Sequence, residues 1–210
     1  MGTENYKITS WVVVRNHNAI RNGSVFFVLE EVDELSFVKG FYRHLKCDYP
    51  KFFKMDNLCK LAFVAAELLL KDHKPKGKPE EVALVFSNAG ASLDTDKTYF
   101  SSVEDKSNYF PSPAVFVYTL PNIMMGEICI RHRFLGENAF FISEKFDGAL
   151  LADYSESILS SGKATSVIAG WVEINDKEWE AVLFLIEPKE NTNQRLSQAT
   201  LERIYNLSRR

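Results

Sequence analysis

Residues 56–70 read DNLCKLAFVAAELLL, and no other stretch restricts the fold as strongly. Asp56 is a suitable N-cap, and the residues behind it are mostly good helix formers. The apolar surface of such a helix is too wide for one-sided packing, so the helix must be largely buried. Layers to bury it are available. Short apolar segments at 8–14, 24–29, 81–86 (EVALVF), 138–143 (NAFFIS), 166–172 and 181–187 read as strands. Helical patterns are expected at 121–133, where Pro121 fits a first turn, at 147–161, ended by Gly162, and at 192–210. Strands alternating with helices argue for an α/β layer architecture. Residues 35–50 are a mixed aromatic and basic segment, and 72–79 a Lys/Pro/Gly linker. The polar connection from Asn88 to Pro113 is long enough to be functional or to contain further structure.

Composition narrows the function. The chain has 210 residues, 46% of them hydrophobic, which suits one domain with a full core. A net charge of -3 argues against nucleic acid as a partner. Arg203, Arg209 and Arg210 lie together near Glu202 and read as a solvated helix end. No apolar run approaches the roughly 20 residues that span a bilayer. Residues 1–10 are polar, so no secretory signal is expected and the cytoplasm is the expected location. Cys47, Cys59 and Cys129 form no CxxC pair, and His17, His44, His73 and His132 stand at no ligand spacing from them. Reduced, packed thiols are expected, with no metal and no cofactor.

Three blocks carry a resemblance. Lys54-Met55-Asp56 leads into Leu61-Ala62 and Ala65-Ala66. In the second block Pro113 is followed by the turn Leu120-Pro121-Asn122, then Gly126, the run Ile128 to Arg131, and Gly136-Glu137-Asn138. In the third, the 138–143 strand runs through Lys145 to Gly148, then to Ser161-Gly162-Lys163-Ala164 and Ala169-Gly170-Trp171. Together these resemble the N-terminal half of the β-ketoacyl synthases of the thiolase-like superfamily. Glu137 replaces the family's usual proline. The family's nucleophilic cysteine lies nine residues after the glycine of the second block, and here that count lands on Lys145. The chain is most similar to short ketosynthase-like proteins of the chain-length-factor kind, which also lack the cysteine, usually with glutamine in its place.

The resemblance implies a layered half of the thiolase-like fold over residues 1–190, with a mixed five-stranded sheet carrying helices on its faces and a polar helix over 191–210. Condensation needs an activated thiolate and donors for the thioester oxyanion. The family draws its histidine and lysine donors from a second half with no counterpart in these residues, so no catalytic residue is expected. The implied function is a non-catalytic subunit paired with a full-length ketosynthase in fatty-acid, polyene or polyketide biosynthesis, with acyl carrier protein as a further partner. Phe116, Tyr118, Leu120, Met124 and Met125 are the candidates for a dimer interface or for gating an acyl tunnel, with filling of the chain's own core as the alternative for each. Two other readings stay open: an acyl-thioester enzyme using Lys145, and a stand-alone homodimer that binds acyl chains or carrier protein. After Lys145, Leu150, Leu151, Tyr154 and Ile158 fall on one helix side and Asp153, Glu156, Ser157 and Ser160 toward the other, a one-face pattern.

Overall fold

The computed structural model describes residues 6–175, 178–188 and 194–207. Its elements in chain order are β1 (Tyr6–Arg15), β2 (Asn18–Arg21), β3 (Ser24–Val28), α1 (Glu34–His44), α2 (Asn57–Leu69), β4 (Val82–Asn88), α3 (Leu93–Phe100), α4 (Pro113–Phe116), α5 (Ile123–His132), β5 (Asn138–Ile142), α6 (Gly148–Ser160), β6 (Ser166–Ile174), β7 (Trp179–Pro188) and α7 (Gln198–Tyr205), with single 3-10 turns between some of them. The strands form one sheet in the order β3-β2-β1-β7-β6-β4-β5. Strand β4 runs parallel to β5 and β6, and the remaining pairs are antiparallel.

The sheet is mixed, as expected, but it has seven strands and not five. The difference lies at the N-terminal end. Asn16 and His17 both take positive φ (50° and 55°) between β1 and β2, and Asn22 and Gly23 do so (50° and 89°) between β2 and β3. Two-residue hairpin loops with both residues left-handed match the twist of the flanking strands, and Asn-Gly is the preferred pair. The two loops turn 6–28 into a three-stranded meander.

The sheet faces two cores. Val12 and Val14 of β1, Leu84 and Phe86 of β4, and Leu183 and Leu185 of β7 pack with α1, α2 and α5. Trp11, Val13, Val85, Trp171 and Phe184 point to the opposite side, with residues of α6 and α7. A bulge at Thr9 lets β1 keep both faces in phase: the register with β7 steps between Ile8 and Ser10. Backbone bonds from Ile8 to Gln194 and from Leu196 to Tyr6 cover the start of β1 on its other side.

Helix α2 is buried on nearly every side, from Leu58 through Ala66 and at Leu68 and Leu69. Asp56 caps it, accepting from the Cys59 N–H at 2.9 Å. Gly170 of β6 is required by a close approach, because a Cβ there would run into the Leu183 side chain and stand 2.6 Å from the Val182 carbonyl. Helix α6 buries Leu151, Ala152, Ser155, Ile158 and Leu159. Its inward stripe is therefore turned by about a residue from the expected one, leaving Leu150 and Tyr154 half-buried. Of the expected helix at 192–210, the described part is α7, which buries Leu201, Ile204 and Tyr205 and packs on α6. Residues 192, 193 and 208–210, with Arg209 and Arg210, lie outside the described residues, as does the 190/191 boundary. The 88–113 connection contains α3. Among the described residues no helix is long and apolar enough to cross a membrane.

One polar cluster ties α5 to α2. Glu67, the single residue of α2 after Asn57 that is only half-buried, accepts from Arg131 Nε at 2.9 Å and lies 3.1 Å from His132 Nε2. Cys47 Sγ donates to its other oxygen at 3.4 Å. Burial pushes the Glu67 carboxyl up, but hydrogen bonds from His132 and Arg131 outweigh it and hold the pKa at about 2. A carboxyl held below its ordinary value near 4.5 adds stability that is complete above that pH and is lost as the pH falls toward 2. Urea unfolding at pH 7 and pH 3 is expected to show a smaller difference for Glu67→Gln than for the unchanged chain.

Candidate functional site

The strand-to-helix elbow is built by the ends of β5 and α6. The Ser143 N–H bonds the Asn88 carbonyl at 2.9 Å, which carries the ladder one step beyond β5 before the chain turns. Phe146 then dives into the core and stacks on Tyr205 of α7, with ring centroids 4.1 Å apart and planes 6° from parallel. Asp147 caps α6 by accepting from the Leu150 N–H at 2.9 Å. Gly148 opens the helix where α7 crosses it: a Cβ there would lie 3.1 Å from the Gln198 carbonyl and from Glu202 Cγ.

Lys145 sits in this elbow, exposed, between Glu144 and the buried Phe146. A cleft of about 390 Å³ is lined by residues 143–147 together with Gln198 and Glu202. Its charged groups are one amine and the carboxylates of Glu144, Asp147 and Glu202. None of the four histidines lines it. Near the end of the neighbouring strand, the backbone N–H groups of Ala89 and Gly90 point at a carboxylate of this chain, donating to Glu173 Oε2 at 2.6 and 3.0 Å. Donors of that kind would suit a developing oxyanion, but here they are occupied from within.

Beneath the elbow lies a buried charged group that the sequence reading missed. Arg15 has no exposed side-chain surface and meets Glu180 through Nε at 2.7 Å. Glu180 also accepts from Trp171 Nε1 (2.8 Å) and Tyr205 Oη (2.9 Å). An arginine closing the apolar run 11–14 and a glutamate opening the apolar run 181–186 were the available signal. These bonds pin α7 to the sheet.

The thiols stand elsewhere. Burial, then the Glu67 charge, pushes Cys47 up to about 12. Burial followed by Asp56 raises Cys59 well above the ordinary thiol value, and burial raises Cys129. None is set up as a thiolate. Among the described residues no group of histidine, cysteine and carboxylate side chains could hold a metal ion.

The second candidate set divides. Phe116 and Leu120 are each 58% exposed, next to Val117 and near α3, where Tyr99 packs on Phe116. Tyr118 turns inward and its hydroxyl reaches Glu127 Oε1 at 3.3 Å. Burial, then Glu127, pushes the Tyr118 phenol up. Met124 and Met125 are buried in the core with α2. The contact between α2 and α5 is deep enough to take both methionines out of solvent.

No protein-family model matches the sequence, and no curated protein matches it significantly. Solved structures do match. The ishigamide ketosynthase/chain length factor superposes with a TM-score of 0.68 at 17% identity, over 90% of this chain and 64% of that one. The complex of the ketosynthase ApeO with its chain length factor ApeC from Xenorhabdus doucetiae gives 0.56 at 13%, covering 89% and 80%. A type II ketosynthase bound to its acyl-carrier protein (AntDE:AntF) gives 0.59 at 13%, covering 95% and 65%. The likeness is one of fold alone: a mixed α/β architecture shared with these ketosynthase and chain length factor structures. The chain spans a little under two thirds of the length of the first of these structures.

The split of the second set has a measurable consequence. Met124→Ala is expected to cost about 2–5 kcal/mol in denaturant unfolding, as for a buried methionine. Phe116→Ala is expected to stay within about 0.5 kcal/mol of the unchanged chain.

Proposed function

We propose that this chain is a non-catalytic, chain-length-factor-like subunit that pairs with a full-length β-ketoacyl synthase and, through it, with acyl carrier protein. In this reading residues 1–190 form the ketosynthase-like unit, 191–210 add a closing helix, and Lys145 occupies the position of the nucleophilic cysteine. The observation that carries it is the elbow: an exposed amine among carboxylates, with no thiol and no histidine, in a fold shared with ketosynthase and chain length factor structures. The raised thiols and the internally occupied N–H pair support the absence of condensing chemistry.

Chemistry tests the first half of the proposal. The purified chain is expected to leave malonyl-carrier thioester unchanged above the buffer rate, by thioester consumption and product mass. Turnover that disappears in Lys145→Ala would replace this reading with a lysine-dependent enzyme.

Pairing tests the second half. Phe116, Val117 and Leu120 give the surface an apolar character that fits a lasting contact, and stable pairs bury about 1,200 Å² or more. Co-expressed with a full-length ketosynthase encoded beside it, the chain is expected to co-elute with that synthase in size exclusion. Phe116→Asp with Leu120→Asp should abolish co-elution while leaving thermal unfolding unchanged. A chain that elutes alone beside its synthase, or pairs regardless of these changes, would sink the subunit reading or its assigned surface respectively.

A further inference from the structure

A second cavity lies far from the elbow. It encloses about 400 Å³ at the N-terminal end of β4, where Pro79 and Val82 form part of its wall. The elbow follows the C-terminal end of β5, and Asn88 of β4 pairs with Ile142 there. Six strand rises separate Val82 from Asn88, so the two sites stand about 20 Å apart along the sheet.

Two kinds of surface meet in the cavity. Leu45, Leu70, Val82 and Phe134 supply apolar walls continuous with the main core. Lys71, Lys74 and Lys78 supply positive charge, and none of them is ion-paired among the described residues. Lys71 does lie 5.8 Å from the centre of the Phe26 ring. The one carboxylate in the lining is committed elsewhere: Glu67 is taken by Arg131 and His132. Close by, Glu187 accepts from His73 at 3.1 Å and from the Lys76 N–H at 2.8 Å, and Asp72 faces Arg21. Glu81 accepts from the Lys78 N–H at 3.1 Å.

The ends of α2 and α5 also converge here, and their last carbonyls carry partial negative charge. Several carbonyls at these ends are already occupied. The Ala66 carbonyl accepts from the Leu70 N–H, the Leu70 carbonyl from the His73 N–H, and the Cys129 carbonyl from the Phe134 N–H. Arg21 caps the Lys71 carbonyl. The lysine charges at the mouth have no carboxylate partner among the described residues. A cavity of this size with apolar walls and a few convergent charges fits a small ligand.

We propose that this cavity binds small amphipathic anions, with a carboxylate or phosphate head held by Lys71, Lys74 and Lys78 and an apolar body seated on Leu70, Val82 and Phe134. The inference does not depend on the subunit reading, because the cavity shares no residue with the elbow or with the 116–120 surface.

The four histidines make the test internal. His73 and His132 line the cavity, whereas His17 packs on Phe37 and His44 on Phe27, around the β3–α1 contact. Imidazole NMR of the full chain, labelled at histidine, is followed while hexanoate or hexyl phosphate is added. Saturable shifts are expected at His73 and His132 and not at His17 or His44. The tighter of the two ligands identifies the head group. Hexanol and inorganic phosphate, each with half of the recognised chemistry, should bind at least about tenfold more weakly, the loss of one charge-assisted or apolar contact. Lys71→Gln with Lys74→Gln, and separately Lys74→Glu with Lys78→Glu, should weaken hexanoate and hexyl phosphate by about tenfold or more at an unchanged thermal midpoint. The proposal is overturned by non-saturating or uniform shifts at all four histidines, by hexylammonium binding as well as hexanoate, or by variants that bind as the unchanged chain does.

Discussion

Helix α2 touches β1, β6 and β7 on one side and is covered by α1 and α5 on the other, so the placement of every element in that layer depends on burying it. Each large apolar side chain removed from water contributes about 1.5–3 kcal/mol, and α2 carries Leu58, Leu61, Phe63, Val64, Leu68 and Leu69 within four turns. Those side chains leave room for few polar groups. Lys60 lies among the buried residues and spends its amine on the Met55 carbonyl. Glu67 is the exit from this apolar column, and for that reason it is where α5 is fastened through Arg131 and His132.

The opposite layer depends on a different kind of contact. Helices α6 and α7 rest on the sheet through apolar residues, but Arg15, Glu180 and Trp171 meet Tyr205 in a buried charged set. Removing Arg15 or Glu180 alone would strand an uncompensated charge, so such a set specifies where α7 sits more than it adds net stability. Phe146 reaches the same tyrosine from the elbow. The conformation of the loop that carries Lys145 is thus set by α7, an element distant in sequence.

Local patterns made some of this readable in the sequence and hid the rest. Asp56 and its apolar run announced α2, and the strand-to-helix turn around Lys145 followed from NAFFIS, Asp147 and the helical pattern after it. Asn22-Gly23 was a hairpin signal between two apolar runs, yet four-residue β2 is too short to show alternation, and the strand count suffered. Met124 and Met125 could not be placed by periodicity, since which side of α5 is inward depends on α2. Both cavities are formed by segments distant in sequence: residues 45–47, 67–82 and 132–134 in one case, 143–147 and 198–202 in the other. No spacing rule reaches across such distances.

The bulge in β1 has an implication for how this chain can change in length. Thr9 is the supernumerary residue of the strand: Ile8 faces the α6–α7 layer, Ser10 bonds toward Leu69 of α2, and Trp11 returns to the first side. Omitting Thr9 would join Ile8 to Ser10 with the alternation of a regular strand and forfeit the Thr9 hydroxyl bond to Glu187 at 2.7 Å. Omitting any residue from Ser10 to Val14 would instead invert the facing of everything on one side of the gap. Within β1, the tolerance of this fold for a single-codon deletion is therefore concentrated at one position.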